Sequence, residues 1–409
     1  MRGPASSGMQ YIAPMKNALD GAETETGHMK QDSSTKVKND SSAKGKVVSA
    51  QTRNSKRALY KRAAEERLTI GLDLGDRKCA YCILDAAGDV LSCDTLPTTK
   101  TGLLSLFERM PRSRVALEVG THSPWVSRLL TEAGHEVIVA NARRVALIGQ
   151  STRKNDKVDA ATLARLARVD PRLLAPIRHR SEQAQKDLLV IRARDALVEA
   201  RTKLINAARG LVKPLGERLP SCDSEQFDED LSKGLSDEMR VTLQPLLRSV
   251  AQLSEQIAEY DVRIRDLAGR YPETKLLQQV HGVGPLISLA FVLTIEDPGR
   301  FAHSRDVGPY LGLVRKTRDS GESEPQLGIT KEGDGCLRRL LVQGAHCLLR
   351  NNAPDSDLRR WGLEKIRQRG KKEKKRVVVA VARKLAVLLH HLWVSGEAYE
   401  PLRNRTAAA

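Results

Sequence analysis

Leu68-Thr69-Ile70-Gly71-Leu72-Asp73-Leu74-Gly75 is an apolar run that carries one carboxylate and closes on a glycine. Four to eight apolar residues bounded by turn signals read as a strand buried on both faces. An acid inside such a run is expensive unless it has work to do. Val115-Ala116-Leu117-Glu118-Val119-Gly120 repeats the arrangement, with Glu118 at the strand end. Lys154-Asn155-Asp156-Lys157-Val158-Asp159-Ala160-Ala161 opens a helix, and its two aspartates, three apart, share one face.

The elements around these acids come in a defined order. Leu68 to Asp73, Cys79 to Leu84 and Val90 to Leu96 read as three strands, the last two joined by the turn Asp85-Ala86-Ala87-Gly88-Asp89. A helix over Thr101 to Arg109, a strand over Val115 to Val119, a helix over Ser123 to Ala133 and a strand over Glu136 to Ala140 follow. A last helix covers Asp156 to Arg168. Three meandering strands followed by alternating helix and strand predict a mixed five-stranded α/β sheet of ribonuclease H type. That sheet would put Asp73 at its middle and Glu118 on the neighbouring strand, with Asp156 and Asp159 delivered from the side. Four oxygen donors converging this way repel one another unless cations sit between them, and hard oxygen ligands suit Mg²⁺, with Mn²⁺ as the alternative. Two such ions can stabilise the attacking and leaving oxygens of a phosphodiester.

The chain of 409 residues carries a net charge of +18, a surplus that favours a polyanionic partner, DNA or RNA. Aromatic residues make up only 3%, so the cores must rest on Leu, Val, Ile and Ala. With no apolar run of about 20 residues, no membrane span is expected. Nor is there an apolar leader core at the start. The six cysteines are scattered and do not read as a disulfide framework. Cys79 and Cys82 form a C-x-x-C inside a predicted strand, which turns them to opposite faces as core thiols. The expected place is a reducing cytoplasm, against the nucleoid.

Residues 1–62 read as a disordered basic tail, 63–180 as the carboxylate domain, 181–269 as a coiled-coil hairpin, 270–395 as a helical domain and 396–409 as a second disordered tail. The hairpin rests on two heptad patterns. Val190, Ala193, Leu197, Ala200, Leu204, Ala207 and Leu211 form one, ended by Pro214, Gly216 and Pro220. Leu243, Leu246, Val250, Leu253, Ile257, Tyr260, Ile264 and Leu267 form the other. The first helix also carries Arg192, Arg194, Arg201, Lys203, Arg209 and Lys213, a solvated face or a strip along a phosphate backbone.

In the third segment, Val280-His281-Gly282-Val283-Gly284-Pro285 leads into an apolar helix. Gly282 and Gly284 suit a helix-hairpin-helix turn whose N–H groups approach phosphates, and equally a tight turn between packed helices. Further on, Tyr310-Leu311-Gly312-Leu313 precedes Asp319-Ser320-Gly321. Next come Leu327-Gly328-Ile329-Thr330-Lys331-Glu332-Gly333-Asp334-Gly335 and Leu337-Arg338-Arg339-Leu340. A serine before glycine is ordinarily turn chemistry. Lys331, Arg338, Arg339 and Lys384 are candidate phosphate contacts, as is the basic run Lys371, Lys372, Lys374, Lys375 and Arg376.

This combination resembles the IS-one-ten family of DEDD transposases, bridge-RNA-guided serine recombinases, from about Leu68 to about His391. The resemblance rests on Asp73, Glu118, Asp156 and Asp159, the helical insert, the Gly282-Val283-Gly284 turn, and the run from Leu311-Gly312-Leu313 through Ser320-Gly321 to Lys331, Gly333 and Arg338. It implies a RuvC-like domain binding Mg²⁺ through the four carboxylates and a transposase domain whose serine, Ser320 here, attacks DNA. It also implies a tetramer with composite active sites and a structured guide RNA that pairs with donor and target DNA. Two other readings compete. One is a Holliday-junction-type endonuclease that uses the four carboxylates and metal-activated water; the other is a non-catalytic nucleic-acid-binding protein.

Overall fold

The computed structural model describes residues 68–141, 155–318, 327–370 and 373–403. The N-terminal segment 1–62, the serine-glycine turn at Ser320 and the lysines Lys371 and Lys372 lie outside these residues.

The N-terminal domain is built on β1 (Thr69–Leu74), β2 (Lys78–Leu84), β3 (Val90–Pro97), β4 (Arg114–Glu118) and β5 (Glu136–Ala140). They form one sheet in the order β3-β2-β1-β4-β5, with β1–β2 and β2–β3 antiparallel and β1–β4 and β4–β5 parallel. The turn after β2 forms as its residues predict. The Asp85 carboxylate accepts from Gly88 N at 2.9 Å and Asp89 N at 2.8 Å, and Gly88 takes the positive φ the turn requires.

Because side chains alternate along a strand, β1 sends Ile70 and Leu72 to one face and Thr69, Gly71 and Asp73 to the other. The first face packs with Phe107 and Leu103 of α1 (Lys100–Phe107) and Val126 and Leu130 of α2 (Ser123–Glu132), all fully buried. The second face receives α3 (Asp156–Val169). Its alanines Ala160, Ala161 and Ala164 pack on Ala80, Cys82 and Leu84, while Leu163 and Ala167 cover Ala116 and Ile138. At the crossing the chains nearly touch. A Cβ on Gly71 would lie 1.9 Å from the Ala160 carbonyl oxygen and 2.7 Å from Ala164 N. At its far end α3 is tied by Arg114 donating to Ala167 O at 3.0 Å and Arg168 donating to Ala86 O at 3.0 Å.

Cys79 and Cys82 do face opposite sides of the sheet, but the scattered cysteines are not all single. Cys82 lies directly opposite Cys93 across β2 and β3, and the two are joined as a disulfide beneath α3. Spacing along the chain could not show a pairing that only strand register creates.

The remaining body is helical: α4 (Glu182–Val212), α5 (Asp237–Gly269), α6 (Glu273–Leu277), α7 (Pro285–Ile295), α8 (Val307–Tyr310), α9 (Gly335–Leu348), α10 (Asp357–Arg369) and α11 (Lys374–Ser395). The long helices α4 and α5 run antiparallel. The Arg194 guanidinium donates to both Asp261 oxygens, at 2.6 and 3.1 Å, and Arg201 donates to Ser254 Oγ at 3.1 Å. The seam is one residue out from the expected heptad. The buried positions of α4 are Ala184, Asp187, Leu188, Ile191, Arg201, Ile205, Ala208 and Val212, whereas Ala207 and Leu211 face out. Two apolar stripes run along this helix, and the one containing Arg201 is the one that is buried, with Ser254 meeting one nitrogen of its guanidinium. The stretch between the two helices carries Phe227, which is buried at the outer end with Ile205, Leu243 and Leu247 under the Arg209 guanidinium.

The inner ends of α4 and α5 belong to the same core as α7, α9 and α11, so the hairpin grows out of the C-terminal body. Helix α7 is apolar all round because every residue from Ile287 to Ile295 is buried. Helix α11 is long and apolar enough to cross a membrane, yet Val377, Val381, Leu385 and Leu389 are spent on this core. Residues 396–403, expected to trail free, dock on the body. Asp357 N donates to Pro401 O at 2.7 Å, and Tyr399 N donates to Gln279 Oε1 at 2.8 Å.

Gly71→Ala should destabilise the fold by about 3 kcal/mol, since the methyl group meets backbone and not a movable side chain. Urea unfolding would read this as a lower midpoint at unchanged slope.

Candidate active site

Residues Leu72 and Leu117 are register partners in the parallel β1–β4 pair. One step on, Asp73 and Glu118 follow these partners on adjacent strands, near the strand ends. Glu118 shares a face with Ala116, which lies under α3, just as Asp73 shares a face with Gly71. Both acids are half-buried on the side covered by α3. Helix α3 starts at Asn155, whose side chain accepts from Lys157 N at 3.1 Å, and its exposed first turn carries Asp156 and Asp159. The helix N-terminus favours these two charges.

The four carboxylates are one electrostatic unit. Burial, then the charges of Asp156, Asp159 and Glu118, push the Asp73 carboxyl up to about 6 from its ordinary 3.8. Among the described residues, no three His, Cys, Asp or Glu side chains form a ready-made metal cage. The acids share a face and a field, and mutual repulsion works against closer approach. Their all-carboxylate oxygen chemistry suits a hard divalent cation.

Two neighbours carried no signal in the sequence. Trp125 Nε1 donates to His122 Nδ1 at 3.1 Å, and His122 Nε2 lies 3.3 Å from Asp76 Oδ1. Asp76 follows β1 and His122 follows β4, so this pair stands at the strand ends that carry Asp73 and Glu118. A lone histidine in a turn gives no hint of such a partner before the strands are placed.

The candidate phosphate contacts are spread over the helical body. Gly282 has a φ of 82°, and a Cβ there would lie 2.8 Å from Gly344 O, so its freedom serves the packing of its turn on α9. Gly284 N-caps α7 with open space beside it. Gly312 and Gly333, both with positive φ, let the chain pass itself at the base of the loop that carries Ser320. Lys316 N donates to Gly328 O and Thr330 N donates to Val314 O, pairing the two arms of that loop. Arg338 clamps the same base, donating to Leu311 O at 3.0 Å and Glu332 O at 2.8 Å. Arg339 is paired with Asp195 and Glu199 of α4. Lys331 is exposed beside the loop, and Lys384 sits over the Trp361 ring. The basic face expected on α4 is largely spent within the chain: Arg192 faces Asp334, Arg194 faces Asp261, Arg201 meets Ser254 and Arg209 covers Phe227.

A mixed sheet of this order, with acids on its first and fourth strands and on the helix laid across them, is compatible with a ribonuclease-H-like fold carrying a DEDD carboxylate set. Comparison with known proteins agrees. The family profile of DEDD transposases of IS110 type matches residues 70–215, and that of the IS116/IS110/IS902 transposases matches residues 274–360. The transposase for insertion sequence element IS1111A of Coxiella burnetii is 31% identical over 255 residues, 60% of this chain and 68% of that one. The transposase for insertion sequence element IS1328 of Yersinia enterocolitica is 26% identical over 281 residues, 68% of this chain and 82% of that one. The chain belongs to the IS116/IS110/IS902 family of insertion-sequence transposases.

The Asp73 shift sets a pH dependence. A carboxyl that ionises near 3.8 when unfolded and near 6 when folded makes ionisation costly to the fold. Stability from this group is complete below pH 4 and is lost as pH rises through 6. In chelator-containing buffer, Asp73→Asn should therefore be more stable than the parent by about 1 kcal/mol above pH 7, a figure reduced for solvent screening. The gap should close below about pH 4 in thermal melts.

Proposed function

We propose that this transposase cuts and rejoins DNA with two sets of groups: the four carboxylates Asp73, Glu118, Asp156 and Asp159, and the hydroxyl of Ser320. The observation that carries this reading is the placement of Asp73 and Glu118 on adjacent strands beneath the helix that presents Asp156 and Asp159. A Mg²⁺ or Mn²⁺ ion bound by this set would supply charge stabilisation to the oxygens of a phosphodiester. In the cleavage step the Ser320 oxygen bonds to phosphorus, the bond from phosphorus to the sugar oxygen breaks, and the serine proton ends on the released sugar hydroxyl; in rejoining a sugar hydroxyl attacks that phosphorus and the serine leaves with a proton. The phosphoserine link conserves the phosphodiester for rejoining. Arg338 ties together the described stretches before and after the serine by donating to Leu311 O and Glu332 O, and the exposed Lys331 would meet phosphate. Donor and target would be chosen by pairing with a structured guide RNA. Four chains would assemble so that serine and carboxylates meet across protomers.

Labelled donor and target DNA, incubated with protein and RNA and then denatured, should leave label on the parent protein and none on Ser320→Ala. Asp73→Asn and Asp159→Asn should abolish strand exchange while remaining folded. Full exchange by Ser320→Ala removes the serine from the mechanism, cutting without joining or protein labelling favours hydrolysis, and undiminished exchange in excess EDTA favours metal-free chemistry.

The charge surplus of +18 yields a further expectation. If several phosphates are contacted, affinity for duplex DNA should fall by about 10³ or more between about 50 and 200 mM salt. A flat profile in a filter-binding titration would contradict a phosphate-dominated interface.

A further inference from the structure

A cavity of about 1140 Å³ opens between α10, α11 and the docked segment 396–403. Leu358, Ala380, Val387 and Leu388 give it an apolar floor, and Trp361 and Tyr399 stand in it as half-buried aromatic walls. The wall made by residues 397–403 is held in place by the Asp357 N to Pro401 O and Tyr399 N to Gln279 bonds, so the cavity is built and not a loose gap. Three carboxylates, Asp357, Glu397 and Glu400, and three cations, Arg383, Lys384 and Arg403, line it. Glu397 is already met by Arg403 at 3.2 Å and faces His391 at 4.0 Å. Arg383 and Lys384, both exposed at the mouth, have no ion pair with a carboxylate among the described residues. Lys384 Nζ lies 4.7 Å from the Trp361 ring centroid, placing a cation and an aromatic face together.

We propose that this cavity holds one unpaired nucleotide of a nucleic-acid strand, its base on Trp361 against Tyr399 and its phosphate at Arg383 and Lys384. Aromatic walls over an apolar floor, with exposed cations at the mouth, are the combination that single strands require, since every base has a face to stack and every phosphate a charge to neutralise. The flexible Lys384 stem lets its ammonium leave the ring for a phosphate as a base takes its place. Asp357 and Glu400, also at the cavity, bring acceptors suited to the exocyclic amino groups of bases. The site rests on the reading of this chain as a DNA-processing enzyme, and adds to it a place for a base out of its duplex.

The test uses the full chain and labelled oligonucleotides of about ten nucleotides, within the span of one single-strand site. Four probes are compared by fluorescence anisotropy at one salt concentration: single-stranded DNA, single-stranded RNA, an abasic strand of equal charge, and duplex DNA. The parent should bind at least one base-bearing single strand about 10-fold more tightly than the abasic strand, the tighter of DNA and RNA identifying the source. Trp361→Ala should lose that advantage. Ala380→Phe, which fills the cavity without removing any core atom, should lose it too, while Trp361→Phe keeps it. Tryptophan quenching on binding should be present in the parent and absent in Trp361→Phe. Equal binding of abasic and base-bearing strands, or an undiminished advantage in Ala380→Phe, overturns the proposal. If duplex binding survives in that case, the DNA-processing reading stands and only the cavity assignment falls; if the parent binds no probe, both fall.

Discussion

The contact of Gly71 with the backbone of Ala160 decides where the acids of this protein go. With no side chain between them, α3 lies directly on the central strand. The alanines beside it keep the helix down along β2, and its far end is tied by Arg114 and Arg168. A rigid helix fixed at its middle and far end has little choice about its first turn. Asp156 and Asp159 are delivered to the edge where Asp73 and Glu118 emerge. Any larger residue at position 71 would lift the helix and spread the four charges.

Holding Asp73 half-buried beside three other carboxylates opposes folding: burial first, and the neighbouring charges second, raise its carboxyl. The protein accepts this cost where the helix N-terminus offsets part of the repulsion and where a hard cation can offset more. Against this local negative field stands a chain with a surplus of 18 positive charges. Much of that surplus on α4 is consumed internally, by Asp334, Asp261, Ser254 and the Phe227 ring. The arginines nearest the serine loop also serve the fold, Arg338 by clamping backbone and Arg339 by tying α9 to α4. Cations that meet nucleic acid must therefore be sought where no internal acceptor holds them, as at the mouth of the cavity beside Trp361.

The five strands, their order and the helix that bears two aspartates were legible from local patterns. Apolar runs of strand length, one Asp-Ala-Ala-Gly-Asp turn and a helical start at Asn155 each have a short-range physical cause. The positions of the four acids on these elements were legible for the same reason, since each acid interrupts an otherwise apolar or capped element. The α4 seam was not. Val190, Ala193, Leu197, Ala200, Leu204, Ala207 and Leu211 make a sound heptad, but the neighbouring stripe with Arg194 and Arg201 is the one that faces α5. An arginine is read as solvated until a partner such as Asp261 is placed opposite it. The partnership of His122 with Asp76 and the docking of Tyr399 were hidden likewise, because each joins residues far apart in the chain.

By itself, then, the amino-acid sequence determined the elements and their order, because strand and helix periodicity and turn chemistry act over a few residues. Only the tertiary structure decided which stripe of α4 is buried, that Cys82 meets Cys93, that Arg338 and Arg339 are held within the chain, and that Trp361 and Lys384 share a cavity. Those outcomes depend on register between strands and on competition among partners brought together by packing, and neither is written in any short stretch of the chain.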